Sequence, residues 1–160
     1  MDKKCVIIDK EKKQRKVSLK YEEHIFDQEK QIEYINKLFQ NIDFEEKQIC
    51  ISEIKNKLNS YKNQDIIKKR SIENIINLNE IVEKLVSSQL KCYYCREKVK
   101  IIFQHARESR QWTLDRLDNY YAHTNDNVVI SCLKCNLQRR RDNHDNFKFS
   151  KQLKIKKQEY

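Results

Sequence analysis

A chain of 160 residues with 36% charged residues, 38% hydrophobic residues and a formal charge of +10 has room for one ordinary domain, or for a small core with a helical extension. No apolar run approaches the roughly 18 residues of a membrane span. The start, Met1-Asp2-Lys3-Lys4, leads only into Cys5-Val6-Ile7-Ile8, which lacks the pattern of a secretory leader and points to an intracellular protein that is not secreted.

The chain has no Gly and no Pro, so its turns fall to Asn, Asp and Ser, which tolerate left-handed backbone or bond to it locally. Residues 1–20 form a basic arm with two β-compatible runs, Val6-Ile7-Ile8 and Val17-Ser18-Leu19, expected as a hairpin or a loosely ordered arm. Residues 21–89 read as an α-helical segment. Ile25, Phe26, Ile32, Ile35, Leu38 and Phe39 recur at helical spacings and predict a helix from Glu22 to about Gln40. A second helix is predicted from Phe44 to Tyr61. Ser71 reads as the N-cap of a third, whose apolar face runs from Ile72 through Ile75, Ile76, Leu78, Ile81 and Val82 to Leu85. This segment is expected to pack against the rest of the chain or to present a surface to a second copy or another protein. His24 is expected in an exposed or capped structural role.

Residues 90–146 differ in character, and a basic tail follows over 147–160. From residue 90 onward there are 16 Lys/Arg against 8 Asp/Glu, whereas residues 1–89 hold 18 against 16. That excess suggests a polyanionic partner, nucleic acid above all. Val99 to Phe103 and Gln111 to Leu114 read as strands, and Asn127 to Ser131 as a third. A helix is predicted to start at Cys132 or Leu133 and to pass Arg141, reaching toward Asn146; after it, residues 147–160 are expected as a frayed helix or a tail.

Four of the six cysteines form two Cys-x-x-Cys pairs, Cys92/Cys95 and Cys132/Cys135, separated by 36 residues. In an intracellular chain such pairs point to metal rather than to disulfides. Two knuckles supply all four ligands of a tetrahedral zinc site and leave no open position, so structural zinc is preferred to a redox pair. The long span between them has to hold structure of its own. Cys5 and Cys50 are read as small buried hydrophobes.

Between and after the knuckles stand Trp112-Thr113-Leu114-Asp115-Arg116-Leu117-Asp118-Asn119, then His123, then Asp126-Asn127-Val128-Val129-Ile130-Ser131-Cys132-Leu133-Lys134-Cys135-Asn136. Over about residues 84–141 the chain resembles the HNH endonuclease superfamily, in the zinc-stabilised form similar to recombination endonuclease VII and to HNH-type proteins of large DNA viruses. The resemblance implies an α+β fold: a ββα-metal core closed by zinc, preceded here by the helical segment. It also implies that Asp115 and Asn136 hold a catalytic magnesium or manganese ion against the scissile phosphate, and that Asn127 braces the intervening loop. Both ligands are hard oxygen donors suited to those ions. Cytoplasm, nucleus and viral replication compartment are all compatible with such a protein.

One position departs from the family pattern. Where the family has its water-activating histidine, this chain has Arg116, which stays protonated and has no acceptor with which to act as a base. Arg116 is instead expected to clamp the phosphate. The base then falls to His123 or to a metal-bound hydroxide, with His105 and His144 as lesser candidates. Asp118 and Asn119 are read as turn-formers and Trp112 as a core anchor. Arg139, Arg140 and Arg141, about one helical turn beyond Asn136, are expected to contact phosphates. The leading expectation is a metal-dependent DNA endonuclease; the alternative is a non-catalytic nucleic-acid-binding zinc protein that keeps the fold.

Overall fold

The computed structural model describes residues 21–154. The two short runs expected at residues 6–8 and 17–19, Cys5 and the end of the basic tail lie outside the described residues. Within them the fold is mixed α+β. A 3₁₀ turn over Glu23–Phe26 leads into α1 (Gln28–Phe39), α2 (Lys47–Ile67) and α3 (Leu78–Ser87). A long irregular stretch follows, then β1 (Trp112–Arg116), β2 (Val128–Cys132), α4 (Leu133–Arg139) and α5 (His144–Gln152). None of the described helices is long and apolar enough to cross a membrane.

Each helix boundary has a local cause. Asp27 caps α1 by accepting from the Lys30 amide at 2.9 Å, so the helix starts after Glu22. It ends where Asn41 turns left-handed, at φ 54°, and lets the Ile42 amide reach back to the Lys37 carbonyl at 2.9 Å. α2 runs one and a half turns beyond its expected end at Tyr61. Its last apolar residues, Ile66 and Ile67, are exposed, and it is the carboxylate of Asp65 that faces inward. Hydrophobic periodicity therefore ends before the helix does.

The third helix begins later than predicted. Asn77, not Ser71, is the N-cap: its side chain accepts from the Glu80 amide at 3.0 Å, and Glu80 returns a bond to the Asn77 amide at 2.8 Å. Residues 72–76 stay out of the helix because their backbone is committed elsewhere. Ile76 N donates to the carbonyl of His123 at 2.8 Å, and Ile75 bridges Thr124.

The expected strand at Val99 to Phe103 is likewise absent. Its amides are taken by a side chain: the Gln31 carboxamide of α1 accepts from Ile101 N at 2.7 Å and Ile102 N at 3.2 Å, and donates to the carbonyls of Ile102 and Ile25. Gln31 is completely buried. The two strands that do form pair antiparallel, from Trp112 opposite Cys132 to Arg116 opposite Val128. The helix after β2 stops short as well. Arg140 adopts φ 52° and ψ −103°, which breaks the chain before Arg141, and α5 restarts under the Asn143 cap.

Trp112, Leu114 and Ile130 of the sheet, Ile54 of α2, Ile81 and Leu85 of α3, and Ile35 of α1 belong to one continuous hydrophobic cluster with three of the cysteines of the two pairs. The helices and the cysteine-bearing stretch thus share a core. Gln31 joins them by polar means, and its replacement tests that join. Gln31→Ala leaves two buried amides without a partner, so it is expected to cost about 2–4 kcal/mol in urea unfolding. A loss below about 0.5 kcal/mol, the size of an ordinary surface substitution, shows that those amides find other acceptors.

Candidate functional site

The first knuckle is a tight turn in which Arg96, at φ 61°, returns its amide to the Cys92 carbonyl at 3.0 Å, while the Cys92 amide reaches the carbonyl of Glu97. A bond from Tyr93 N to the Ile130 carbonyl, 2.8 Å, pins this turn to β2. The second knuckle is the junction of β2 and α4. Cys132 is the last residue of the strand and the N-cap of the helix, and its sulfur accepts from the Cys135 amide at 3.4 Å. A helix N-terminus favours a thiolate.

The four sulfurs lie within 4.8 Å of one another, with Cys95 Sγ and Cys132 Sγ 3.9 Å apart. Zinc at about 2.3 Å from each sulfur requires tetrahedral edges of about 3.8 Å, so the donors and their spacing fit such a metal. The neighbouring Cys132 and Cys135 thiols stabilise the Cys92 thiolate and hold its pKa far below that of a free thiol. Cys50 is separate and inert: burial pushes its thiol up to about 12.

Asp115 and Asn136 come out differently from expectation. Asp115 is buried on β1, and its carboxylate is already taken. Arg139 of α4 donates Nε to Oδ2 at 2.6 Å and Nη2 to Oδ1 at 2.9 Å, and the Tyr94 hydroxyl adds a third bond to Oδ2 at 2.6 Å. The guanidinium also reaches the carbonyls of Arg116 and Asp142. Asn136 donates its amide to Thr113 Oγ1 at 3.1 Å. A divalent cation does not fit on Asp115 in this arrangement, because a fixed guanidinium stands where its positive charge would. Arg139 in turn is 1% exposed, which corrects its expected role: it is the internal counter-ion of Asp115 and not a phosphate contact. Arg140 and Arg141 are exposed.

The loop between the strands is tightly braced. Asn127 accepts from Asp118 N at 2.9 Å and donates to the carbonyls of Asp118 and Ala122 at 2.9 and 3.0 Å. Asp118 turns the chain by accepting from Tyr120 N at 2.8 Å, and Asn119 donates to the Arg140 carbonyl. The Arg116 guanidinium spends two bonds on the carbonyls of Asn119 and Tyr121, 3.2 Å each.

The loop places His123 in the interior, 3% exposed. Asp65, from the far end of α2, accepts from both the His123 amide and Nδ1, each at 2.8 Å. Tyr61 packs against the imidazole with ring centroids 4.6 Å apart. Nε2 has no hydrogen-bond partner among the described residues. Arg70 and Arg116 approach the other Asp65 oxygen at 3.2 and 3.9 Å. Burial holds the His123 pKa below its ordinary value, against the pull of Asp65. For Asp65, burial pushes the other way, but the bonds from His123 and the charge of Arg116 outweigh it and lower its pKa.

Two clefts open beside these residues. One, of about 530 Å³, gathers Asp115, Arg116, His123, Asn136 and Arg140 with Lys57 and Tyr61 of α2. Lys57 caps the Trp112 carbonyl and bonds Gln111 Oε1 at 2.9 Å, and burial lowers its pKa to about 7. The other, of about 1330 Å³, runs from Lys68, Lys69 and Arg70 past Tyr120 and Tyr121 to Arg140 and Arg141. His144 lies in the larger cleft, whereas His105 lines neither. Sequence reasoning missed Asp65, Lys57 and Arg70. Lys57 and Asp65 lie on α2 and Arg70 just beyond its end, and no spacing rule links them to partners 49 to 58 residues further along the chain.

Arg139→Met strands a buried carboxylate and is expected to cost about 3–5 kcal/mol of stability, while Arg139→Met combined with Asp115→Leu recovers much of the loss. Denaturation of both variants checks this; equal loss in the two would refute a compensating pair. An NMR titration is expected to place the His123 midpoint below the ordinary histidine value. Both lowered values favour the deprotonated groups in the folded state. Their contribution is therefore present at pH 7, begins to fade as pH falls through the ordinary histidine value near 6.5, and is lost once the pH drops below the folded value of Asp65. Comparisons with protein-family models, with curated proteins and with solved structures found no match to this chain.

Proposed function

We propose that the chain is a zinc-clamped DNA-binding protein in which the four cysteines hold one structural zinc ion and the larger cleft holds the phosphate backbone. The observation that carries this reading is the convergence of Lys68, Lys69 and Arg70, from the turn that ends α2, with Arg140 and Arg141, from the turn after α4, on one groove. Cations from two distant stretches of chain repel one another, and a polyanion offsets that cost. The sequence resemblance to HNH proteins supports both the zinc and the choice of DNA.

In this reading zinc is folding energy. Its removal by a chelator unfolds the described core, as does replacement of any one of Cys92, Cys95, Cys132 or Cys135 by serine. Metal analysis of the purified protein is expected to return one zinc per chain. DNA affinity falls steeply with salt, by close to one power of concentration for each phosphate neutralised. Lys68→Ala with Lys69→Ala, and separately Arg140→Ala with Arg141→Ala, weaken binding and flatten that salt slope, as fluorescence anisotropy measures. Unchanged affinity in both double variants sinks the reading.

A specific observation favours a second reading, DNA cleavage. Asp65 orients His123 through Nδ1 and leaves Nε2 unbonded, in a cleft that also holds Arg116 and Asn136. Such an imidazole can take a proton from an attacking water, and the neighbouring guanidinium can stabilise the negative charge on the phosphate. Plasmid nicking, assayed with magnesium, with manganese and with chelator, decides between the two. His123→Ala removes nicking but retains DNA affinity if the protein is a nuclease. No nicking under any of these conditions leaves binding as the function.

A further inference from the structure

Tyr120 is 90% exposed and its neighbour Tyr121 66% exposed, on a loop that buries Ala122 and His123 immediately after them. Neither ring covers any part of the core. Their backbone nevertheless is held at several points: Asp118 accepts from Tyr120 N at 2.8 Å, Arg116 donates to the Tyr121 carbonyl at 3.2 Å, and Asn127 ties Asp118 to Ala122. Two adjacent aromatic side chains are therefore presented to solvent from a rigid turn, and both line the basic groove.

The charges around them are available. Lys68, Lys69, Arg140 and Arg141 are exposed, and none forms an ion pair among the described residues. The acids in the same groove are fewer: Asp118, which also accepts from the Tyr120 amide, and Asp142.

From this geometry we infer that the groove takes an unpaired stretch of DNA, its phosphates on the four cations and its bases stacked on Tyr120 and Tyr121. This rests on the DNA-binding reading and adds the state of the strand. Duplex DNA buries the faces of its bases inside the helix and offers the tyrosines only edges and backbone. A single strand offers open faces, and stacking on an aromatic ring is tolerant of sequence. A turn that is already fixed loses little conformational freedom when a base docks, so the stacking gain is kept.

The experiment is an anisotropy titration of the full-length zinc-loaded protein with a fluorescein-labelled single strand and with the duplex of the same sequence, at one salt concentration. The single strand is expected to bind roughly tenfold tighter or more. Tyr120→Ala with Tyr121→Ala removes this preference by weakening the single strand alone, and Tyr120→Phe with Tyr121→Phe keeps it, since stacking needs the ring and not the hydroxyl. Both side chains are exposed, so circular dichroism of the variants is expected to be unchanged. Equal affinity for strand and duplex, or an alanine variant that retains the preference, overturns this inference while the DNA-binding reading stands. Absence of binding to either form overturns both.

Discussion

Arg139 and Asp115 meet in the interior, where each would be costly alone. Moving two charged groups out of water costs several kcal/mol per ion in a real protein, and the geometry offsets it completely enough to be kept. Arg139 makes two bonds to the carboxylate and two to backbone carbonyls, and the Tyr94 hydroxyl takes part of the remaining carboxylate capacity. The pair fastens α4 to β1 within one turn of Cys135 and next to the first knuckle through Tyr94. Whatever the thiols bind, this clamp and the sulfur cluster depend on the same placement of α4. It also decides which cations face outward: Arg139 is consumed, and Arg140, forced to φ 52° by the break in the helix, is turned to the groove.

The helical half is part of the site. Asp65 fixes His123, Lys57 caps the β1 backbone at Trp112, the Tyr61 hydroxyl accepts from the Leu114 amide at 3.0 Å, and Gln31 secures the stretch before β1. Ile76 adds a backbone bond to the His123 carbonyl. These contacts converge on the loop between the strands from one side, while Asn127 and Arg116 hold it from within. A loop with so many fixed points can display exposed side chains in defined positions, which is why Tyr120 and Tyr121 can be solvent-facing without being loosely held.

The absence of glycine leaves its mark on the backbone. Among the described residues, six have positive φ: Asn41, Lys69, Gln89, Leu90, Arg96 and Arg140. Each costs about a kcal/mol or more relative to glycine. Two of them end α1 and α2, one shapes the first cysteine knuckle, and one breaks the chain after α4. Only Asn41 is a residue type that signals this conformation. The other turns carry no such residue, so the break after α4 is not visible in the sequence, whereas the end of α2 is hidden because its apolar pattern stops before the helix does.

The sequence by itself determined the elements whose cause is local: the amphipathic stripes of α1 and α3, the strands around Trp112 and Ile130, and the paired cysteines whose spacing brings four sulfurs together. Asn127, which only the resemblance implied as a brace, bonds across the loop through its side chain. Tertiary structure decided everything that depends on which polar group meets which. Asp115 was legible as an acidic residue at a strand end, but whether its charge faces a cation or a guanidinium depends on where α4 delivers Arg139. His123 was legible as a loop histidine, but its orientation comes from Asp65, a residue 58 positions away. A hydrophobic pattern records which face is buried because burial acts on each residue alone; a hydrogen bond or ion pair is a relation between two residues, and only the folded chain says which two.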